Sequence, residues 1–139
     1  MLAAVVFVAG VIAALASGES EPFTFGVAVG DCYDTSEETT DLDVTDCDGT
    51  HDREAFVVED FEDDGGDFPG TEELVSQSSR VCLEEFEGYV DQEFLESRFN
   101  FEVVIPTKAR WDDGARQFVC ALFPVSGESS EGAARGSGE

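Results

Sequence analysis

Positive charge is what this chain most lacks. Its 139 residues carry 32 acidic and only 7 basic side chains, a formal net charge of -25, and Lys108 is the single lysine. Nucleic acid is excluded as a natural partner, because neutralising phosphates takes arginine and lysine. An anionic membrane surface is excluded for the same reason. Histidine is equally scarce, with His51 standing alone. Closely spaced cysteine pairs are absent too: Cys32, Cys47, Cys82 and Cys120 are separated by 15, 35 and 38 residues. A structural zinc site wants two close pairs of ligands, so this spacing speaks against one. An even number of dispersed cysteines in a small chain with an export-like segment speaks for disulfides.

The acidic residues are scattered along the chain rather than confined to one block. Such a surface repels itself at low ionic strength, and salt screens the repulsion. The thermal unfolding midpoint is therefore expected to rise by several degrees as sodium chloride is added. A flat dependence would show that the carboxylates are neutralised locally. The alternative use of the charge is to bind metal cations, basic peptides or polycations.

What is present begins with an apolar run, Met1 to Ala16 (MLAAVVFVAGVIAALA), that contains no charged side chain. As a helix it would extend about 24 Å, a little short of the roughly 30 Å hydrocarbon core of a bilayer. Ala14-Leu15-Ala16 fits the small-x-small pattern of a signal-peptidase site. Residues 1–17 are thus expected to be a transmembrane anchor or a signal peptide. No basic residue precedes the run to set its orientation, which raises the alternative of a start further upstream. Either form places the following domain outside the cytoplasm, and membrane contact would come through this segment if it stays attached.

Residues 18–22 read as a linker and residues 23–123 as one domain. Phe23, Phe25, Val27 and Val29 alternate with smaller or polar residues and predict a half-buried strand. Val44-Thr45 predicts a short strand, and Ala55 to Val58 another. Thr71 is the expected N-cap of a helix, with Glu72 and Glu73 suited to its positive end. Leu74, Ser78, Val81, Cys82, Phe86 and Tyr89 keep helical spacing, and Gly88 is expected to close or weaken the helix. Asp91 to Arg98 predicts a further short helical stretch. Phe99, Phe101, Val103 and Ile105 alternate again until Pro106, residues 107–114 turn back, and Arg116 to Phe123 forms the last strand. Residues 124–139, rich in Ser, Gly and Glu, are expected to be a disordered acidic tail. The class is α+β: a small, mainly antiparallel sheet packed against one main helix, with two disulfides and a preceding apolar N-terminal helix.

Four landmarks stand in order: Gly30-Asp31-Cys32; Cys47-x-x-x-His51-x-x-Glu54; Cys82 on the helix; and, after Pro106, Trp111-x-x-Gly114-x-Arg116-x-x-x-Cys120. This arrangement resembles the septum formation family of actinobacteria over about residues 26–123. In that family a proline usually precedes the histidine. Thr50 stands there in this chain, which predicts a looser turn. The resemblance implies a membrane-anchored or exported domain connected with cell division, and it brings no established activity, cofactor or catalytic role.

Four cysteines allow three pairings. The expected one joins Cys32 to Cys47 across neighbouring strands and Cys82 to Cys120 between the helix and the last strand. With all four paired, His51 has no thiolate partner for nucleophilic chemistry. It is expected to hydrogen-bond its own turn, with Asp31 or Glu54 as partner. Asp43, Asp46 and Asp48 before Gly49 fail the EF-hand pattern, because Val44 and Ala55 occupy its first and last ligand positions. Asp60, Glu62, Asp63, Asp64 and Asp67 read as a solvated acidic loop. Trp111 is expected to pack over the core beside a tight turn at Gly114, with Arg116 paired to an acid. The alternative is a recognition surface built on Trp111 and Arg116.

The resulting expectation is a non-enzymatic extracytoplasmic binding or scaffolding domain at the cell envelope, with no cofactor or metal and an unknown envelope or division protein as partner. The rivals are a secreted enzyme acting on the cell wall and an acidic module that binds cations or peptides.

Overall fold

The computed structural model describes residues 23–36, 42–62 and 66–139. The apolar N-terminal segment and the linker lie outside these residues, and so do the expectations attached to them. Among the described residues no helix is long and apolar enough to cross a membrane.

Five strands form an antiparallel sheet in the order β2-β1-β4-β6-β5. They are β1 Cys32–Asp34, β2 Asp43–Thr45, β4 Arg53–Asp60, β5 Phe99–Val104 and β6 Gln117–Pro124. A two-stranded ribbon pairs β3 (Thr50–His51) with β7 (Ser130–Glu131). The centre of the sheet is β4 against β6, whose register runs from Glu54↔Leu122 to Asp60↔Gln117 with a bulge between Ala55 and Val57. An extra residue in one strand breaks its alternation. Phe56 and Val57 accordingly both join the core on the helix side, while Ala55 joins the opposite one.

The helix α1 (Thr71–Val90) covers one face of the sheet, burying Leu74, Ser78, Cys82, Phe86, Tyr89 and Val90. Phe86 packs edge-on against Phe56 at 6.0 Å, and Phe118 and Leu122 complete this core. The cap is Gly70 rather than Thr71. Gly70 has φ 108 and accepts the Leu74 N–H at 3.1 Å, so Thr71 becomes the first helical residue. Gly88 does not close the helix, because Tyr89 and Val90 still have core to fill. The end comes at Asp91 in the left-handed region, whose N–H bonds Glu87 O. A single 3-10 turn (Phe94–Glu96) and a five-residue helix α2 (Lys108–Asp112) follow, the latter capped by Thr107, whose side chain accepts from Arg110 N.

Both disulfides take the expected pairing. Cys82–Cys120 ties α1 to β6, and Cys32–Cys47 ties β1 to the turn after β2. Disulfides form and persist in oxidising compartments, so the pair marks an extracytoplasmic environment.

Two further expectations are corrected. Residues 23–29 are not a strand. Phe25 and Val27 are buried as the alternation predicts, covering the second face of the sheet over Tyr33, Val119 and Ala121. Their backbone joins no ladder, and the Phe25 N–H instead donates to Gln117 Oε1 at 2.8 Å. Residues 124–139 are not a disordered tail. They form an ordered strap held through its main chain: Gly132 N to Cys47 O, Gly136 N to Tyr89 O and Gly138 N to Val90 O, all at 2.7–2.8 Å. Composition misleads there because backbone groups make most of the attachment, with Ala134 alone adding a side chain to the core.

Candidate functional site

The motif residues fall at opposite ends of the central strand pair. Gly30, Asp31, Cys32, Cys47, His51 and Glu54 gather at the end where Glu54 faces Leu122. Pro106, Trp111, Gly114 and Arg116 surround the other end, where Asp60 faces Gln117. Six residues of strand separate these registers, about 20 Å.

At the first end, Gly30 turns the chain at φ 94 and its N–H bonds Ala55 O. A Cβ there would meet the Arg135 guanidinium at 3.5 Å. Asp31 closes the turn through its carboxylate, which accepts the Ala28 N–H at 2.9 Å. His51 is buried, and its Nδ1 lies 2.9 Å from Gly49 O. The turn-bonding role expected for His51 holds, but its partner is this backbone carbonyl rather than Asp31 or Glu54. Asp46 fastens the turn ahead of Thr50 by accepting from Asp48 N with its side chain and from Gly49 N with its carbonyl. Asp46 thus works as a turn residue.

Glu54 is the distinctive group. It is 2 % exposed, and both of its oxygens accept the Ala134 N–H, at 2.9 and 3.1 Å. A buried carboxylate needs such a donor. The strap supplies it through Ala134. Cys32, Cys47 and Glu54 bring potential ligand atoms within 4.8 Å of one another. The disulfide consumes both sulfurs, and thiolates are what a soft-metal site requires. The donor set does not fit a metal while the disulfide stands.

Beside this cluster lies an open cleft of about 420 Å³ between β4, the last turns of α1 and the strap. Phe56 and Tyr89 line it, Gly88 leaves it unobstructed, and Glu59, Glu85 and Arg135 bring charge to its walls. Arg135 lies over the Tyr89 ring at 5.1 Å. The Tyr89 hydroxyl faces Glu54 without a hydrogen bond of good geometry, and the Tyr33 hydroxyl on the other face of the sheet is likewise buried and unpartnered. Burial foremost, and then a neighbouring carboxylate (Glu54 for Tyr89, Glu102 for Tyr33), push both phenols well above their usual range.

These are the only two tyrosines. A phenol whose folded pKa exceeds its unfolded value of 10.0 keeps its stabilising contribution below pH 10 and loses it as the pH rises further. Absorbance titration at the phenolate band is therefore expected to stay flat through pH 10 and then rise together with loss of secondary structure. A smooth rise centred at pH 10 in a folded protein would contradict the burial of both rings.

At the second end, Trp111 is 3 % exposed and packs near Phe61 and Phe68, its Nε1–H donating to Gly66 O at 3.3 Å. The core placement expected for Trp111 holds. Arg116 lies 3.8 Å over the Trp111 ring and donates to the Trp111 and Ala115 carbonyls at 2.8 Å. Gly114 turns the chain at φ 103, and Pro106 is fully buried ahead of α2.

Arg135 and Ala134 were invisible as site residues, because they lie in a segment whose composition reads as solvent-exposed. The available signal was Glu54 itself, an acid flanked by the apolar run of β4 that needed a donor from somewhere.

Neither a curated protein nor a solved structure matches the chain. Residues 29–138 match the septum formation family, a span that takes in the Gly30 turn, both disulfides, the Trp111 end and nearly all of the strap. By that match, which runs well beyond half its length, the chain belongs to the septum formation family.

Proposed function

We propose that this chain is a non-enzymatic binding or scaffolding domain of the cell envelope that acts outside the cytoplasm during septum formation. Membership of the septum formation family supports a role related to cell division. The two disulfides support an oxidising compartment. The apolar run at residues 1–16 supports delivery there, as an anchor or as a signal peptide.

The observation that carries the non-enzymatic reading is how the motif residues are used. Each one with chemical potential is committed to holding the fold: the four cysteines to each other, His51 to Gly49 O, Glu54 to Ala134 N, and Trp111 to Gly66 O. A catalytic group needs a free lone pair or proton within reach of a substrate. The cleft beside Tyr89 offers the domain a shallow surface for a partner.

Time-lapse imaging of an internally tagged copy in dividing cells, paired with depletion, tests the reading. Enrichment at the septum with filamentation on depletion is expected. Uniform envelope signal with normal division would overturn the division role, and turnover of purified wall fragments by the chain would overturn the non-enzymatic one.

A further inference from the structure

We infer that the groove between the outer face of α1 and the 3-10 turn at Phe94–Glu96 docks a partner protein segment carrying an apolar anchor flanked by lysine or arginine. The groove holds about 470 Å³ and is lined by Leu83, Glu87, Glu93, Phe94 and Leu95. Leu95 is 92 % exposed and Leu83 is 52 % exposed. Nothing in the fold asks for a leucine at position 95. The 3-10 turn buries none of its residues, and its attachment to the core comes from Phe94, whose ring lies 5.1 Å from Phe86 and 5.4 Å from Phe101. Phe94 thereby forms a fixed floor, with Leu83 and Leu95 standing at its sides. On a surface this rich in carboxylates, an apolar patch rimmed by charge is the mark of an interaction site.

Charge decides the occupant. Glu87 and Glu93 flank the apolar floor, and among the described residues no ion pair engages either carboxylate. A second copy of the chain would bring the same two glutamates against themselves, on molecules each carrying a net charge of -25. The chain's own residues 1–22 are apolar enough to fill the groove, but their charged residues are Glu19 and Glu21, with no lysine or arginine. A foreign segment with basic flanks satisfies both features at once, its apolar residues covering Leu83, Phe94 and Leu95 while its cations meet Glu87 and Glu93. This surface lies outside the motif residues, and its test is independent of the septal assignment.

The test is calorimetric titration of the full chain, at physiological salt, with an amphipathic helical peptide of leucine and lysine and with its leucine–glutamate counterpart. The lysine peptide is expected to bind and the glutamate peptide not. Leu95→Ser should weaken binding about tenfold or more, the value of one leucine left uncovered. Glu87→Gln with Glu93→Gln should weaken it further, whereas Glu72→Gln with Glu73→Gln, at the far end of the same helix, should leave it unchanged. Because Leu95 is exposed, its replacement leaves the core intact. Undiminished binding by Leu95→Ser would reduce the interaction to adsorption of a polycation on an acidic surface and overturn the proposal. Equal binding of the two peptides would overturn it as well. A dimer in sedimentation that Leu95→Ser dissociates would assign the groove to a second copy. Crosslinks from a photoreactive residue at position 95 to residues 1–16 would assign it to the chain's own apolar segment.

Discussion

Replacing Cys82 and Cys120 together with alanine is expected to lower the unfolding free energy by about 4 kcal/mol from loop entropy alone, since the bridge closes a 38-residue loop. Both sulfurs also sit at fully buried positions in the main core, and losing them adds roughly another kcal/mol. For a domain of this size each kcal/mol moves the midpoint by about 4–6 °C, so a drop of roughly 20–30 °C is anticipated. The effect is large because the bridge joins the two layers. The helix is otherwise held to the sheet by packing of Leu74, Phe86 and Val90 against Phe56, Phe118 and Leu122. Removing Cys32 and Cys47 instead opens a 15-residue loop, worth about 3 kcal/mol on the same argument. Circular dichroism melts of the two double mutants compare them directly. A Cys82/Cys120 mutant that melts within a few degrees of wild type would mean that side-chain packing alone fixes the helix.

The second large effect is expected at Glu54. Ala134→Pro deletes the one N–H that both carboxylate oxygens share, leaving a buried anion without its donor. A loss of about 3 kcal/mol is anticipated, near the upper end for stranding a charged hydrogen-bonding group. Proline carries its own backbone cost, so the informative quantity is a coupling. In a Glu54→Gln background the same proline should cost at least 1 kcal/mol less, because no charge is stranded. Hydrogen exchange should speed at Gly132, Gly136 and Gly138 in Ala134→Pro alone, reporting release of the strap. Identical costs in the two backgrounds would show that Glu54 does not hold the strap.

The parts of the fold legible in the sequence are those written in side chains. α1 and β5 follow from apolar periodicity, and β4 and β6 from continuous apolar runs. The pairing of Cys82 with Cys120 is one of three that four cysteines allow, and the structure bears it out. Three features were harder to read, each for a physical reason. Phe25 and Val27 alternate like a strand because they do bury side chains against the sheet, but side-chain periodicity says nothing about where the backbone N–H groups go. The continuation of α1 past Gly88 depended on Tyr89 and Val90 finding tertiary contacts, which outweigh the weak helix propensity of glycine. The strap is attached through main-chain bonds at glycines, which leave no periodic trace. The candidate site was half legible for the same reason. Its sheet side was marked by Gly30, Cys32, Cys47, His51 and Glu54, while its other wall comes from Arg135 and Gly136 in the strap.

The irregular segment ahead of β1 has a mechanical consequence. Residues 23–29 rest on the second face of the sheet without a ladder, and the chain then reaches Cys32, which is covalently clipped to Cys47. A pull applied at residue 23 would peel these residues first and lengthen the chain by at most about 24 Å, seven residues at near-full extension. The disulfide then stops the unzipping of β1 from the sheet. A domain tethered at that side could thus yield a short, reversible length of slack under load while the sheet, both disulfides and the helix-side core stay in place.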